Sequence, residues 1–200
     1  MDRHRIAIIV GSLRVGSINR KVARSICAFA KEKLDCEIVE IGALPLYNQD
    51  LENDPNEEVT RFRNRISASD GILFVSPEYN RGMPGVLKNA IDIGSRPYGQ
   101  SIWDKKPAAI VTASPGSIGG FGANHQLRQA FVFLNMPVMQ QPEAYLGMVK
   151  DDSFGPDGMV VDGPLKELIV LRSKDTARRR VPKLIRMPRR TQSLVWKGSS

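Results

Sequence analysis

Short apolar runs alternate with longer amphipathic stretches along most of this chain. Ile6-Ala7-Ile8-Ile9-Val10 is too short for a helix, and its branched side chains suit a strand buried on both faces. Runs of this kind predict strands at residues 5–10, 37–41, 71–75, 108–113 and 138–139. Helical periodicity fills the gaps. Asn19 is placed to cap a helix running to about residue 34, with Val22, Ile26, Phe29 and Ala30 on its inward stripe. A second helix is predicted at 57–68, where Glu57 and Glu58 sit at the positive end of the helix dipole. Pro84 suits the first turn of a third, at 85–93, and Asn124 opens a fourth that runs to residue 134. Strands that alternate with helices argue for a parallel α/β sheet covered on both faces. No internal repeat is visible.

Charge changes this picture only near the end of the chain. The formal net charge is +8 over 200 residues, which by itself suggests an anionic partner. Residues 165–200 hold 11 Lys/Arg against 2 Asp/Glu, leaving 18 against 19 in residues 1–164. The body is near neutral, so neither nucleic acid nor a membrane surface is expected as its partner. No apolar run approaches a membrane span, and Met1-Asp2-Arg3-His4 leads straight into the first strand, so a soluble, cytoplasmic protein is expected. Residues 1–164 are read as one domain, large enough to bury about 70% of the surface that the unfolded chain exposes. Residues 165–200 are read as an atypical basic tail. Cys27 and Cys36 form neither a disulfide framework nor a metal pair, and neither is given a redox role.

Three loops carry the candidate chemistry. Gly11-Ser12-Leu13-Arg14-Val15-Gly16-Ser17-Ile18-Asn19-Arg20 joins the first strand to a helix start, where backbone N–H groups and the dipole favour an anion. Ser12, Ser17 and Asn19 add short polar groups, and Arg14 adds a fork for phosphate oxygens. The loop lacks the Gly-Lys-Ser/Thr of a nucleoside triphosphate cradle and is not GxGxxG. The plainer reading is an ordinary strand-to-helix turn. Pro77-Glu78-Tyr79-Asn80-Arg81-Gly82-Met83-Pro84-Gly85 is a proline-stiffened loop after the third strand, suited to a flat ring with a polar edge. Glu78 is expected to act through its backbone rather than as an acid. Ser114-Pro115-Gly116-Ser117-Ile118-Gly119-Gly120 follows the fourth strand and permits close approach to a ligand or plain flexibility. His125 is expected to cap a helix or face solvent rather than donate a proton.

The first two loops, together with Leu87-Lys88-Asn89-Ala90-Ile91-Asp92, resemble in order and spacing the NADPH-dependent FMN reductase family, in particular its chromate and quinone reductase members. The resemblance covers about residues 5–160. It implies a flavodoxin-like three-layer sandwich whose five-stranded parallel sheet has the order 2-1-3-4-5, the order that right-handed crossovers also give. It implies FMN with its phosphate on Ser12, Leu13, Arg14, Ser17, Ile18 and Asn19, and its ring on Pro77, Glu78, Tyr79 and Asn80. Ser114 and Gly116 then lie beside the pyrimidine end. NADPH or NADH is the implied reductant, and dimers or tetramers are implied. The expected activity passes a hydride from nicotinamide to FMN and on to a quinone, azo compound, chromate or free flavin. No catalytic side chain and no metal are assigned, because the cofactor carries the chemistry. The alternative is a non-enzymatic electron carrier of the flavodoxin type, which the near-neutral body disfavours.

Two places depart from the family pattern. Where family members carry an aromatic residue soon after the aspartate, this chain has Ile93-Gly94-Ser95, and Gly94 is expected to end the helix. After Leu168-Ile169-Val170-Leu171 the chain becomes arginine- and proline-rich instead of continuing an amphipathic helix. A solvated tail, a frame-altered terminus and a functional basic arm all remain open there.

Overall fold

In the computed structural model, which describes residues 3–161 together with Gly163, Lys166 and Glu167, five parallel strands form one sheet. They are β1 (His4–Val10), β2 (Leu34–Ile38), β3 (Gly71–Ser76), β4 (Ala108–Ala113) and β5 (Tyr145–Leu146), in the order β2-β1-β3-β4-β5. The expected topology is present. Ile6 pairs with Cys36 on one side of β1 and with Gly71 on the other, while Ile72 pairs with Ala108 and Thr112 with Tyr145. The helices are α1 (Ile18–Ala30), α2 (Glu57–Ser67), α3 (Gly85–Ser95) and α4 (Phe121–Phe133). No helix among the described residues is long and apolar enough to cross a membrane.

The sheet separates two apolar layers because successive side chains of each strand point to opposite faces. Ile6, Ile8 and Val10 pack with Val22 and Ile26 of α1 on one face, a layer extended by Leu146, Phe154 and Val160. Ala7, Ile9, Ile72 and Phe74 pack with Phe62, Leu87, Ile91, Trp103 and Phe131 on the other. Ile8, Ile9, Phe74 and Val75 are fully buried, each worth about 1.5–3 kcal/mol relative to exposure. This sandwich fixes the carboxyl ends of β1, β3 and β4 side by side.

Several boundaries differ from the sequence expectation. Helix α1 stops at Ala30, and β2 starts at Leu34 rather than residue 37. Leu34, Cys36 and Ile38 alternate toward the core with a period of two, and a helical stripe extended to Leu34 had hidden that pattern. The fifth strand is Tyr145–Leu146, not 138–139. Val138 makes only an isolated bridge to Ala108, and Pro142, with no N–H to donate, lies between that bridge and the true strand. Ser17 rather than Asn19 caps α1, its Oγ accepting from Arg20 N at 3.2 Å. Helix α4 begins at Phe121, three residues before Asn124, after Gly120 at φ 80°.

Gly94 does not end α3. It lies inside the helix, where the absent side chain makes room for the Trp103 indole. The end of α3 is instead held by Arg63, which donates to the carbonyls of Ile93 and Gly94 at 3.3 Å, of Gln100 at 2.7 Å, and of Arg96. Except for Lys166 and Glu167, residues 165–200 lie outside the described residues, and so do the expectations for the basic tail.

Candidate functional site

The first loop is drawn tight against β3. Gly11 N donates to Val75 O at 2.9 Å, and a Cβ on Gly11 would meet Ser76 Oγ at 2.7 Å, so the close approach requires glycine. Leu13 reaches sideways to Gly42, where a Cβ would meet its Cδ2 at 3.1 Å, and Ile18 packs on the α1-side core. Between these anchors the backbone turns, with Ser17 N donating to Arg14 O at 3.2 Å. The N–H groups of residues 12–16 have no acceptor among the described residues.

Polar groups are left over at the same place. Ser12 is 4% exposed, yet its hydroxyl has no partner among the described residues. Ser17 accepts at its oxygen and keeps its O–H to donate. Asn19 donates through Nδ2 to Ala113 O at 3.2 Å, which ties the start of α1 to the end of β4, and its buried Oδ1 has no partner. Arg14 is exposed and unpaired among the described residues, its Nη2 folded back to 4.0 Å from a Cβ built on Gly16. Unpaired buried polar groups are costly, and a ligand that bonds them removes that cost.

The second loop is a two-residue hairpin. Tyr79 N and Gly82 N donate to each other's carbonyls at 3.0 and 2.9 Å, and Asn80 and Arg81 between them take φ values of 50° and 63°. This is the φ pattern of a type I′ turn, tolerated by asparagine and strained for Arg81. The hairpin uses the Tyr79 and Gly82 N–H groups internally, while those of Glu78, Asn80 and Arg81 stay free among the described residues. Asn80 keeps its amide free as well, and Tyr79 is half exposed. Pro77 at one end and the buried Pro84 at the other limit its motion.

The Glu78 side chain has a structural role beyond the backbone contact expected from the sequence. Its carboxylate, 11% exposed, accepts from Ala123 N at 3.0 Å and so caps the positive end of α4. Gln126 Oε1 accepts from Met83 N at 2.6 Å, and Gly82 and Gly122 make these contacts possible by lacking side chains. The hairpin is thereby clamped to α4. Asn89 performs a similar task nearby, donating to Pro45 O and accepting from Tyr47 N, each at 2.8 Å. Gln126 and Gly122 carry no local signal for these roles, because their contacts span more than forty residues of sequence.

The third loop interlocks with β5. Ser114 N donates to Leu146 O at 3.0 Å, Val149 N to Ser114 O at 3.1 Å, and Met148 N to Gly116 O at 3.1 Å. Ser114 Oγ accepts from Gly116 N at 3.1 Å, which folds the loop back on itself. Beside it Phe121, His125 and Tyr145 form an aromatic cluster with ring centroids 4.1 to 6.2 Å apart. His125 is half-buried against that cluster and neither capping nor fully in solvent, its Nε2 3.2 Å from the Tyr145 hydroxyl. Burial, reinforced by Glu143, pushes the Tyr145 phenol up. Among the described residues no group of three or more His, Cys, Asp or Glu could hold a metal.

The sequence profile of the NADPH-dependent FMN reductase family matches residues 4–151, which hold all five strands and all three loops. The chain belongs to that family. It is 63% identical over 143 residues to a quinone reductase of Pseudomonas putida, covering 71% of this chain and 77% of the relative. It is 40% identical over 171 residues to an NAD(P)H-dependent FMN reductase of Pseudomonas aeruginosa, covering 84% and 90%. The flavoenzyme NAD(P)H:(acceptor) oxidoreductase of Paracoccus denitrificans superposes with a TM-score of 0.82 at 38% identity, covering 87% of this chain and 95% of that one. The residues present fit an FMN: the first loop's unpaired donors and cation suit an anionic group, and the stiff second loop with free N–H groups suits a flat ring with a polar edge.

Proposed function

We propose that this chain catalyses NAD(P)H-dependent reduction of small quinones, with FMN as its bound cofactor. The observation that carries the reading is the junction of three loops by Gly11–Val75, Asn19–Ala113 and Glu78–Ala123 contacts, with unpaired donors left on the first two. FMN, when bound, supplies the chemistry, taking a hydride from the nicotinamide and delivering electrons to the acceptor. The protein's contribution is binding and orientation. Ser12 and Ser17 donate to phosphate oxygens together with the free N–H groups of residues 12–16, and Arg14 supplies the positive charge. Asn19 Oδ1 is an acceptor, which suits a ligand hydroxyl better than a phosphate oxygen. Leu13 and Ile18 hold the cradle's shape through apolar packing.

At the ring, the N–H groups of Glu78, Asn80 and Arg81 and the Asn80 amide supply donors that need no reorganisation, because the hairpin is already fixed by Pro77, Pro84 and the Glu78 carboxylate. Tyr79 offers its ring as one wall. Ser114 and Gly116 present the folded third loop on the β4 side. Quinones are favoured over chromate, azo dyes or free flavin by the relatives named for quinone reduction. Val132 and Phe133, 80% and 89% exposed at the end of α4, support self-association, which sedimentation tests directly.

Steady-state oxidation of NADPH by the FMN-loaded protein, with menadione as acceptor, tests the proposal. Saturable, acceptor-dependent turnover well above that of free FMN is expected. Turnover no faster than free FMN would overturn it in favour of a carrier.

A further inference from the structure

The two cysteines meet at the other end of α1. Ala23, Cys27 and Ala30 recur on its inward stripe at i, i+4 and i+7, and Leu34, Cys36 and Ile38 share one face of β2. Both cysteines pack against the same core layer and line the same groove, close enough for each thiol to shift the other's titration. Because β2 is the outer strand of the described sheet, a groove of about 420 Å³ opens there between helix and strand. Arg3, Arg24, Lys31 and Asp35 line it beside both cysteines, neither of which is fully buried. Ser17 and Cys27 are ten residues apart on one helix, about 15 Å along its axis, so this groove is separate from the flavin cradle.

We infer that Cys27 and Cys36 form a reversible dithiol–disulfide couple that responds to peroxides entering this groove. The groove's lining carries three cationic side chains against one acidic one, while Asp35, next to Cys36 in the chain, opposes its ionisation. The interaction between the two thiols pushes Cys27 up and holds Cys36 down, which makes Cys36 the attacking group. The Cys36 thiolate attacks the peroxide O–O bond; an S–O bond forms, the O–O bond breaks, and the departing hydroxide takes a proton to leave as water. The Cys27 sulfur then attacks the sulfenic sulfur. An S–S bond forms, the S–O bond breaks, and the second oxygen leaves as water with the Cys27 proton. Two thiols are oxidised by two electrons while one hydrogen peroxide is reduced to two waters. The link joins the last turn of α1 to β2 across a short loop, and an exogenous dithiol reverses it.

The full FMN-loaded chain treated with hydrogen peroxide, then denatured, alkylated and weighed, tests this. The chain has two cysteines, so thiol counts are unambiguous. Expected are the loss of both thiols together, a mass lower by two hydrogens, a peptide joining Cys27 to Cys36 within one chain, and recovery with dithiothreitol. In Cys27→Ser, a sulfenic acid on Cys36 is trapped by dimedone at close to the parent rate; in Cys36→Ser, oxidation of Cys27 slows by about tenfold or more. Thiols that survive excess peroxide, sulfinic or sulfonic products without a link, or a link between two chains would each overturn the inference.

Discussion

Gly94→Ala adds one methyl group where α3 meets the Trp103 indole, and two effects of opposite sign compete. Alanine inside a helix is favoured over glycine by about 1 kcal/mol. Against this, a Cβ at Gly94 would stand 2.3 Å from Trp103 Cζ2, 2.4 Å from Cε2 and 2.6 Å from Nε1, roughly an ångström inside ordinary contact. The indole has no free direction of retreat. It is fully buried, packed 6.0 Å from both Phe62 and Phe74, and donates from Nε1 to Ile91 O at 2.8 Å. Overpacking costs about 1–3 kcal/mol. A shifted indole also strands a buried donor at about 1–3 kcal/mol. The net is a loss of about 3 kcal/mol, or a melting temperature lower by about 6–12 °C for a chain of this size. Urea unfolding followed by far-UV circular dichroism reads it, and adding Trp103→Leu to Gly94→Ala should restore part of the loss through relief of the clash. A Gly94→Ala protein as stable as its parent would refute the packing argument.

Three further outcomes are expected. Arg14→Ala weakens FMN binding by about 5- to 30-fold, the share of a charged hydrogen bond that an exposed guanidinium retains, read by quenching of flavin fluorescence; unchanged affinity removes Arg14 from the site. Glu78→Ala lowers stability by about 1–2 kcal/mol through the uncapped α4 and loosens flavin binding, whereas Glu78→Gln restores the acceptor but not the charge and falls between; equal stability in all three proteins contradicts the clamp. Hydrogen bonding from Arg20 holds Glu40 below the usual 4.5, and Arg96 and Tyr47 do the same for Glu52. Carboxylates depressed in the folded state stabilise it above their unfolded pKa and lose that contribution as the pH falls through the folded value. The melting temperature should therefore decline as the pH drops below 4.5, and less steeply in Glu52→Gln; parallel profiles would refute the assignment.

The sheet was legible because its strands carry local signals. The apolar run Ile6–Val10 and the buried β3 and β4 announce two-sided burial without reference to anything distant. The edges were less legible, since β2 and β5 are short and their limits depend on pairing rather than composition: Leu34 becomes a strand residue by facing His4, and Tyr145 by facing Thr112. At the site, loop order and spacing were readable, but the side-chain roles were not. Glu78 reads as a backbone contact alone until α4 brings Ala123 beneath its carboxylate, and Gly94 reads as a helix stop until Trp103 fills its missing side chain. The cysteines show the same limit, because only the return of β2 beside α1 brings Cys36 to Cys27.

The most direct test of the central claim is the absorbance of the purified protein titrated with FMN, followed anaerobically by NADPH. The account predicts tight uptake of FMN with a perturbed flavin spectrum and rapid bleaching on addition of NADPH. A protein that fails to take up FMN, or holds it without reduction by either nicotinamide, would contradict the account.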